Sequence, residues 1–360
     1  MRKVYKNILP RSLENTLVAG LTTPLGFHST AGEIISDLSD DDIFSHYIFD
    51  IIDNAIDTVR RNLDINERVY FATTDAPPGA TAIHSAGVRI VVITWGLLVA
   101  LYCAATKVVN DQALVDEIWH GRRNSPVKTG DGAFSLAVQS WYDGVGLPLT
   151  GDVFVILQTC VEFLLYHELG HLLAGHLGGP TSVAVLNLDE NLYKRVLERD
   201  ADSFAVARLL NQMIGRAGAS RLIDTHLLND VSNSISTAAL AIILIVTTSF
   251  AYFDPTGTET MTTHPLPPFR IIDMQTYYED MLVHIRNRGV TIDPTCVKAF
   301  DVAWDAIWGA IAREGHAELP DMEKYRVQWD DYASEHAAVM DLVLEDLNNR
   351  SFGNIKRRSI

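Results

Sequence analysis

His167, Glu168 and His171 form an HExxH pattern within an apolar stretch of the chain. On a helix the two histidines project from one face, one turn apart, so both imidazoles can bind one metal ion. Glu168 is rotated by about 100° from His167 and can take a proton from an attacking water. The alternative is three groups satisfied within a helical bundle, but such burial is costly without a metal or partners. His176, five residues after His171, is expected to face elsewhere and cap the helix end.

A third metal ligand must come from elsewhere in the chain. A catalytic zinc ion takes three protein ligands and keeps a fourth position open. Glu198 and Asp202 lie four residues apart, on one face of a downstream helix that a short loop can fold back against the first. We expect Glu198 to ligate and Asp202 to orient a ligand histidine. A solvated acidic face is the alternative, which the small and apolar residues around these acids disfavour.

The periodicity of the chain predicts many helices and few strands. Apolar residues at helical spacing predict helices over Ile43–Asn62, Asp152–Leu177 and Leu186–Met213. Runs of β-branched and aromatic residues predict strands over Arg68–Thr74 and Val88–Thr94. The expected fold class is α+β, mostly α, with a small sheet and an HExxH active-site helix.

Charge and cysteine usage restrict the partners and the compartment. The 360 residues carry a formal net charge of −16, which repels nucleic acid and anionic lipid. Three widely spaced cysteines suit a reducing compartment, and the basic N-terminus lacks the apolar run of a signal peptide. We therefore predict a cytoplasmic protein without a nucleic-acid partner. The sequence does not indicate an oligomeric state.

One apolar segment leaves membrane association open as the alternative location. Ile235–Phe253 has about 19 residues without a charged side chain, which approaches the length that spans a bilayer. Five serine and threonine residues lower its hydrophobicity. We expect a buried core helix here, with membrane attachment through this segment as the alternative.

Four runs, in order, resemble a known family. His-Glu-Leu-Gly-His followed by Glu-x-x-Ala-Asp is similar to the gluzincins that include the CAAX prenyl endopeptidases and the bacterial heat-shock membrane proteases. The run Ile90–Leu98 resembles the strand and Gly-Leu-Leu element that precedes the active helix there. Thr263-His264-Pro265, with Arg270 six residues after the histidine, resembles the Thr-His-Pro and Arg element. The resemblance covers residues 88–272, roughly half of the chain.

The resemblance implies a zincin-like metallopeptidase domain, to which we assign residues 65–273, and further site residues. Outside the resemblance, we expect an N-terminal helical extension (1–64) and a C-terminal helical region (274–360). His264 would bind the substrate backbone or the oxyanion, and Arg270 would pair with Asp202 or contact substrate. Zincins also present a sheet edge along the cleft, where a peptide adds as a strand. We assign this role to a run of three residues, Val91, Val92 and Ile93.

The function expected from these residues is that of a zinc-dependent endopeptidase acting on a protein or peptide substrate. Zn²⁺ would polarise the reacting groups, and Glu168 would activate the attacking water. One alternative is a dedicated host-protein-cleaving peptidase, like the phage-exclusion (Lit-type) enzymes. Another is a zinc-stabilised binding or regulatory module without turnover, although a structural site would not need Glu168.

Overall fold

The computed structural model describes residues 43–62, 69–74, 79–85, 88–111, 118, 151–180, 183–217, 227–253, 265–313 and 322–350. Within these ranges the protein is α+β and mostly helical, with a small sheet, as predicted. In chain order, the elements are α1 (Ile43–Asn62), β1 (Val69–Thr74), β2 (Ala80–Ser85), β3 (Val88–Thr94), α2 (Trp95–Asn110), α3 (Gly151–Leu173), α4 (Val183–Leu186), α5 (Glu190–Arg216), α6 (Val231–Phe253), α7 (Pro267–Asn287), α8 (Thr295–Arg313) and α9 (Met322–Arg350).

Helix α3, which carries the HExxH residues, lies at the centre of the core. Every residue from Val155 to Leu173 is buried, as expected for a helix that is apolar on all sides. Helices α1, α2, α5 and α6 pack around it, and strands β2 and β3 also contact it. Because both histidines of the motif stand on this enclosed helix, their backbone positions are fixed by packing on every side.

Helix α5 approaches α3 closely at Gly170, inside the HExxH run. A Cβ atom at Gly170 would lie 3.2 Å from the Cα atom of Ala201 on α5, tighter than ordinary packing. A buried ion pair ties the same two helices further along, where Arg216 donates to both carboxylate oxygens of Glu162 at 2.6 and 2.7 Å. The small residues and this pair together hold α5 and its acidic residues beside the histidines.

The sheet has the strand order β1-β3-β2. Strand β1 runs parallel to β3, and β2 runs antiparallel to it. Thr94 is the last residue of β3 and the N-cap of α2, where its hydroxyl accepts from the Leu97 N–H at 3.3 Å. Strand β2, Ala80–Ser85, was not predicted from the sequence, yet it packs against α3. Residues Ala80, Thr81 and Ala82 of this strand line a cleft that also contains His167 and Glu168.

The end of α3 differs from the sequence prediction. The helix ends at Leu173 and not at Leu177, because Gly175 adopts a left-handed conformation with φ of 80°. Glycine reaches this region without the steric cost that a Cβ atom imposes. A short 3₁₀ helix, His176–Gly178, follows the turn. The turn redirects the chain so that His176 no longer follows the periodicity of α3.

Two helices of the described part of the chain, α3 and α6, are long and apolar enough to cross a membrane. Both are mostly enclosed by protein: 94% of the most apolar stretch of Gly151–Leu173 and 89% of Val231–Thr248 are buried. Core helices of soluble proteins pass the same test of length and composition. Membrane attachment and the cytoplasmic location therefore stay predictions.

The helices outside residues 65–273 pack against helices inside this range or, for α9, also against α7, which crosses residue 273. Helix α1 contacts α3, α8 contacts α6, and α9 contacts both α5 and α7. The burial of Ile51, Ala55 and Val59 on α1 shows that its apolar face is covered. The division of the chain into three regions stays a prediction.

Candidate metal centre

The two histidines of α3 direct ring nitrogens at each other. Nε2 of His167 lies 3.1 Å from Nε2 of His171. Their side chains are only 8% and 11% exposed. Residues four apart on a helix share a face, so the local geometry of α3 brings these two nitrogens together.

Helix α5 adds a carboxylate to this pair of nitrogens. Oε2 of Glu198 lies 3.5 Å from Nε2 of His167, and Oε1 lies 3.4 Å from Nε2 of His171. Asp189 caps the start of α5 by accepting from the Leu192 N–H at 2.8 Å. The cap and the close approach at Gly170 set the position from which Glu198 reaches the histidines.

The three side chains form a group that could hold a metal ion. For metal–ligand bonds of about 2.0–2.1 Å, tetrahedral geometry separates neighbouring ligand atoms by about 3.4 Å. The two histidine nitrogens lie 3.1 Å apart, and a different oxygen of Glu198 approaches each of them, at 3.5 and 3.4 Å. With one ligand atom from each residue, the three atoms lie within 4.8 Å of one another. The group fits one small cation bound by two imidazoles and one carboxylate.

The charges around the group favour a cation among the ligand atoms. Burial lowers the pKa of His167, but Asp202 and Glu198 outweigh this effect and raise the pKa to about 10. Burial lowers the pKa of His171 to about 3. Without a metal, Asp202 and Glu198 thus stabilise the protonated, positively charged form of His167. A metal cation placed there would displace this proton, since a ligating histidine must be neutral.

Asp202 holds the other side of the His167 ring. Nδ1 of His167 lies 2.8 Å from Oδ1 of Asp202. Arg270 of α7 donates to both oxygens of Asp202 through Nε and Nη2, each at 2.7 Å. Burial alone would raise the pKa of Asp202, but Arg270 and His167 hold it below its usual value. Asp202 is therefore an anion fixed between the guanidinium and the imidazole.

Pairing with Asp202 is one of the two roles predicted for Arg270, and this pair is present. We expect Arg270→Met to lower the free energy of unfolding by about 3–5 kcal/mol, because buried Asp202 loses its two-point guanidinium partner and keeps only the His167 ring. Urea unfolding of the metal-free protein measures this loss. Lys194→Met is the matched control, since the Lys194–Glu190 pair is solvent-exposed and contributes at most about 1 kcal/mol. Equal losses in both variants would contradict the assignment.

Glu168 lies beside the ligand group without belonging to it. It lines the same cleft as His167, His171 and Glu198. Burial raises its pKa to about 7. A cation held by the neighbouring ligands would lower this pKa again, because it favours the ionised carboxylate. The ionised carboxylate can accept a proton, as a general base requires.

The strand that borders the cleft is β2, and the prediction for Val91, Val92 and Ile93 was wrong. These residues lie on β3, the central strand, which pairs with β1 on one side and β2 on the other. Its main chain has no free edge for a substrate, and the three side chains are buried. The cleft residues are Ala80, Thr81, Ala82, His167, Glu168, His171, His176, Leu177, Lys194, Leu197 and Glu198.

The predicted residue His264 lies outside the described residues, so its role stays a prediction. The description of this segment begins at Pro265, just before α7. Pro267 and Pro268 stand in the first turn of α7, where a helix does not need their missing N–H groups. This turn also carries Arg270, so the start of α7 determines where the guanidinium meets Asp202.

His176 belongs to the site, contrary to the prediction of a helix-end cap. Its Nδ1 lies 2.9 Å from Nδ1 of His171, and its Nε2 lies 2.9 Å from Oδ2 of Asp200. The prediction extended α3 past residue 176, whereas the turn at Gly175 folds the chain back. The glycine itself was the available signal, since glycine is common where helices end.

The described residues thus contain two imidazoles and one carboxylate at metal-binding separations, with a buried glutamate in the same cleft. In each histidine, Nε2 faces the other ligands and Nδ1 contacts a further side chain. This side chain is Asp202 for His167 and His176 for His171. No family model, curated protein or solved structure matches this chain.

Proposed function

We propose that this protein is a zinc-dependent endopeptidase of the gluzincin kind that the sequence resembles. The observation that carries the proposal is the convergence of His167, His171 and Glu198 on one point, with Glu168 beside them in a cleft. Two histidines and one glutamate are a known ligand set of catalytic zinc, which leaves a fourth position for a reactant.

The residues of the chain have distinct tasks in this proposal. Bound zinc supplies a Lewis acid that polarises a carbonyl and makes water acidic near neutral pH. An Oε atom of Glu168 accepts the proton of the water that attacks the peptide carbonyl, and a new C–O bond forms. As the C–N bond breaks, Glu168 returns this proton to the leaving amine nitrogen. His264 would donate to the developing oxyanion.

An extended peptide is the substrate that the cleft favours. Strand β2 is an outer strand of the sheet, paired only with β3 among the described residues. Its residues Ala80, Thr81 and Ala82 line the cleft. A strand edge binds an extended chain through main-chain hydrogen bonds, which are largely indifferent to sequence. We therefore propose that the substrate binds along β2 and not along β3.

Zinc content and proteolysis, measured together on the purified protein, test the proposal. We expect one zinc ion per chain and cleavage of an unfolded protein such as reduced casein. A strong chelator should stop the cleavage, and added zinc should restore it. Bound zinc without cleavage would instead support a binding or regulatory module. Cleavage that survives complete removal of the metal would contradict the proposal.

A further inference from the structure

The candidate ligand His171 begins a chain of contacts that continues to His176 and Asp200, two side chains that the proposed reaction does not use. Nδ1 of His171 lies 2.9 Å from Nδ1 of His176, and Nε2 of His176 lies 2.9 Å from Oδ2 of Asp200. The side chain of His176 is only 1% exposed and that of Asp200 is 19% exposed. The chain of contacts therefore begins at a candidate ligand and ends at a carboxylate near the surface.

The chemistry of these groups fixes the direction of the hydrogen bonds. An ionised carboxylate only accepts, so Nε2 of His176 donates to Asp200. With both imidazoles neutral, each ring has one N–H, so Nδ1 of His176 accepts and Nδ1 of His171 donates to it. The remaining nitrogen of His171, Nε2, then has a lone pair. This is the atom that lies 3.4 Å from Glu198 and 3.1 Å from His167.

We propose that His176 and Asp200 are positioning residues which fix the tautomer and the ring orientation of His171 for metal binding. The proposal rests on the proposed metal centre. In the opposite tautomer, His171 would present an N–H to the metal position and could not ligate. Partners behind a ligand histidine fix its ring and strengthen its basicity, and their loss weakens metal binding.

The local fold explains why the contact exists. Five residues along a continuous helix correspond to a rotation of about 500°, so His176 would point well away from His171. The left-handed turn at Gly175 breaks the helix, and the 3₁₀ turn His176–Gly178 brings the imidazole back. Asp200 stands on α5 two residues after Glu198, so one helix supplies both a ligand and the anchor of another ligand.

The test compares His176→Ala with His176→Gln in zinc affinity. We call the chain of contacts from His171 through His176 to Asp200 the relay. Glutamine at position 176 can keep both of its hydrogen bonds, because the carbonyl oxygen can accept from His171 while the amide donates to Asp200. We expect the alanine variant to bind zinc about 10- to 100-fold more weakly, in the range seen when such partners are lost. The glutamine variant should recover most of this loss. Chelator competition at fixed pH measures the affinity.

Replacing zinc with Co²⁺ adds a measurement of the ligand geometry, which a change in packing alone would leave unchanged. The visible absorption bands of Co²⁺ report the ligand geometry, and we expect them to change in His176→Ala and to return in His176→Gln. Asp200→Ala, at the more exposed end of the relay, should weaken zinc binding in the same direction. This second variant keeps the test valid if His176→Ala fails to fold. His284→Ala, at an exposed histidine of α7, is the matched control and should bind zinc like the parent.

The outcomes separate this inference from the proposed function. A parent protein that binds no zinc would overturn both. A parent that binds zinc, with equal affinity and unchanged cobalt bands in the alanine variants, would overturn the relay alone. Equally weak binding by His176→Ala and His176→Gln would also overturn it, because the ring would then act through its packing.

Discussion

Glu168→Gln is expected to lower the rate of peptide hydrolysis by about two to four orders of magnitude, the usual contribution of a general base. The amide has nearly the shape of the carboxyl group but cannot accept the proton of the attacking water. Zinc should stay bound, since Glu168 is not one of the three residues at ligand separations. Initial rates of cleavage of an unfolded protein, together with zinc per chain, measure both quantities.

The control makes the same substitution at a glutamate that lies outside the candidate site. Glu345 on α9 is exposed, so Glu345→Gln should leave both the rate and the zinc content unchanged. Loss of zinc from Glu168→Gln would mean that Glu168 is itself a ligand. A rate equal to that of the parent would exclude Glu168 as the base, even if the metal site proves correct.

The parts of the site set by local geometry could be predicted from the sequence. The i, i+4 spacing on an apolar helix places His167 and His171 together, because helical periodicity depends only on the neighbouring turns. Glu198 and Asp202 share a face of the next long helix for the same reason. The chemistry of zinc, which requires a third ligand, then directs attention to that acidic pair.

The parts that depend on strand order and on one turn could not be predicted. A run such as Val91–Ile93 indicates a strand, but its place in the sheet depends on partners distant in the sequence. Strand β2 begins Ala-Thr-Ala, and small residues there give a weak strand pattern. His176 was misplaced because a single left-handed residue, Gly175, changes the direction of everything after it.

The acidic residues of α5 have separate roles, of which the sequence spacing predicted those of Glu198 and Asp202 but not that of Asp200. Glu198 faces the metal position, Asp202 holds His167, and Asp200 holds His176. Arg270 balances the deepest of these charges at Asp202. Residues 198 to 202 of α5 thus provide one candidate ligand and the contacts behind both candidate histidines, so a small displacement of α5 would disturb all three candidate ligands together.

Replacing both ligand histidines, in His167→Ala/His171→Ala, is expected to abolish stoichiometric zinc binding. A structural zinc site with four ligands contributes about 10–16 kcal/mol, or about 2.5–4 kcal/mol for each ligand. The loss of two ligands then weakens binding by about four to six orders of magnitude. Zinc should also raise the melting temperature of the parent and not that of the variant, because a ligand stabilises only the state that binds it.

Two comparisons make this result specific to the proposed ligands. His284→Ala alters an exposed histidine of α7 and should retain one zinc ion per chain and the zinc-dependent rise in melting temperature. The metal-free double variant must still unfold cooperatively, which shows that the loss arises from the ligands and not from a collapsed core. Full zinc occupancy in a folded double variant would mean that the metal lies elsewhere, and the assignment of all three ligands would fail with it.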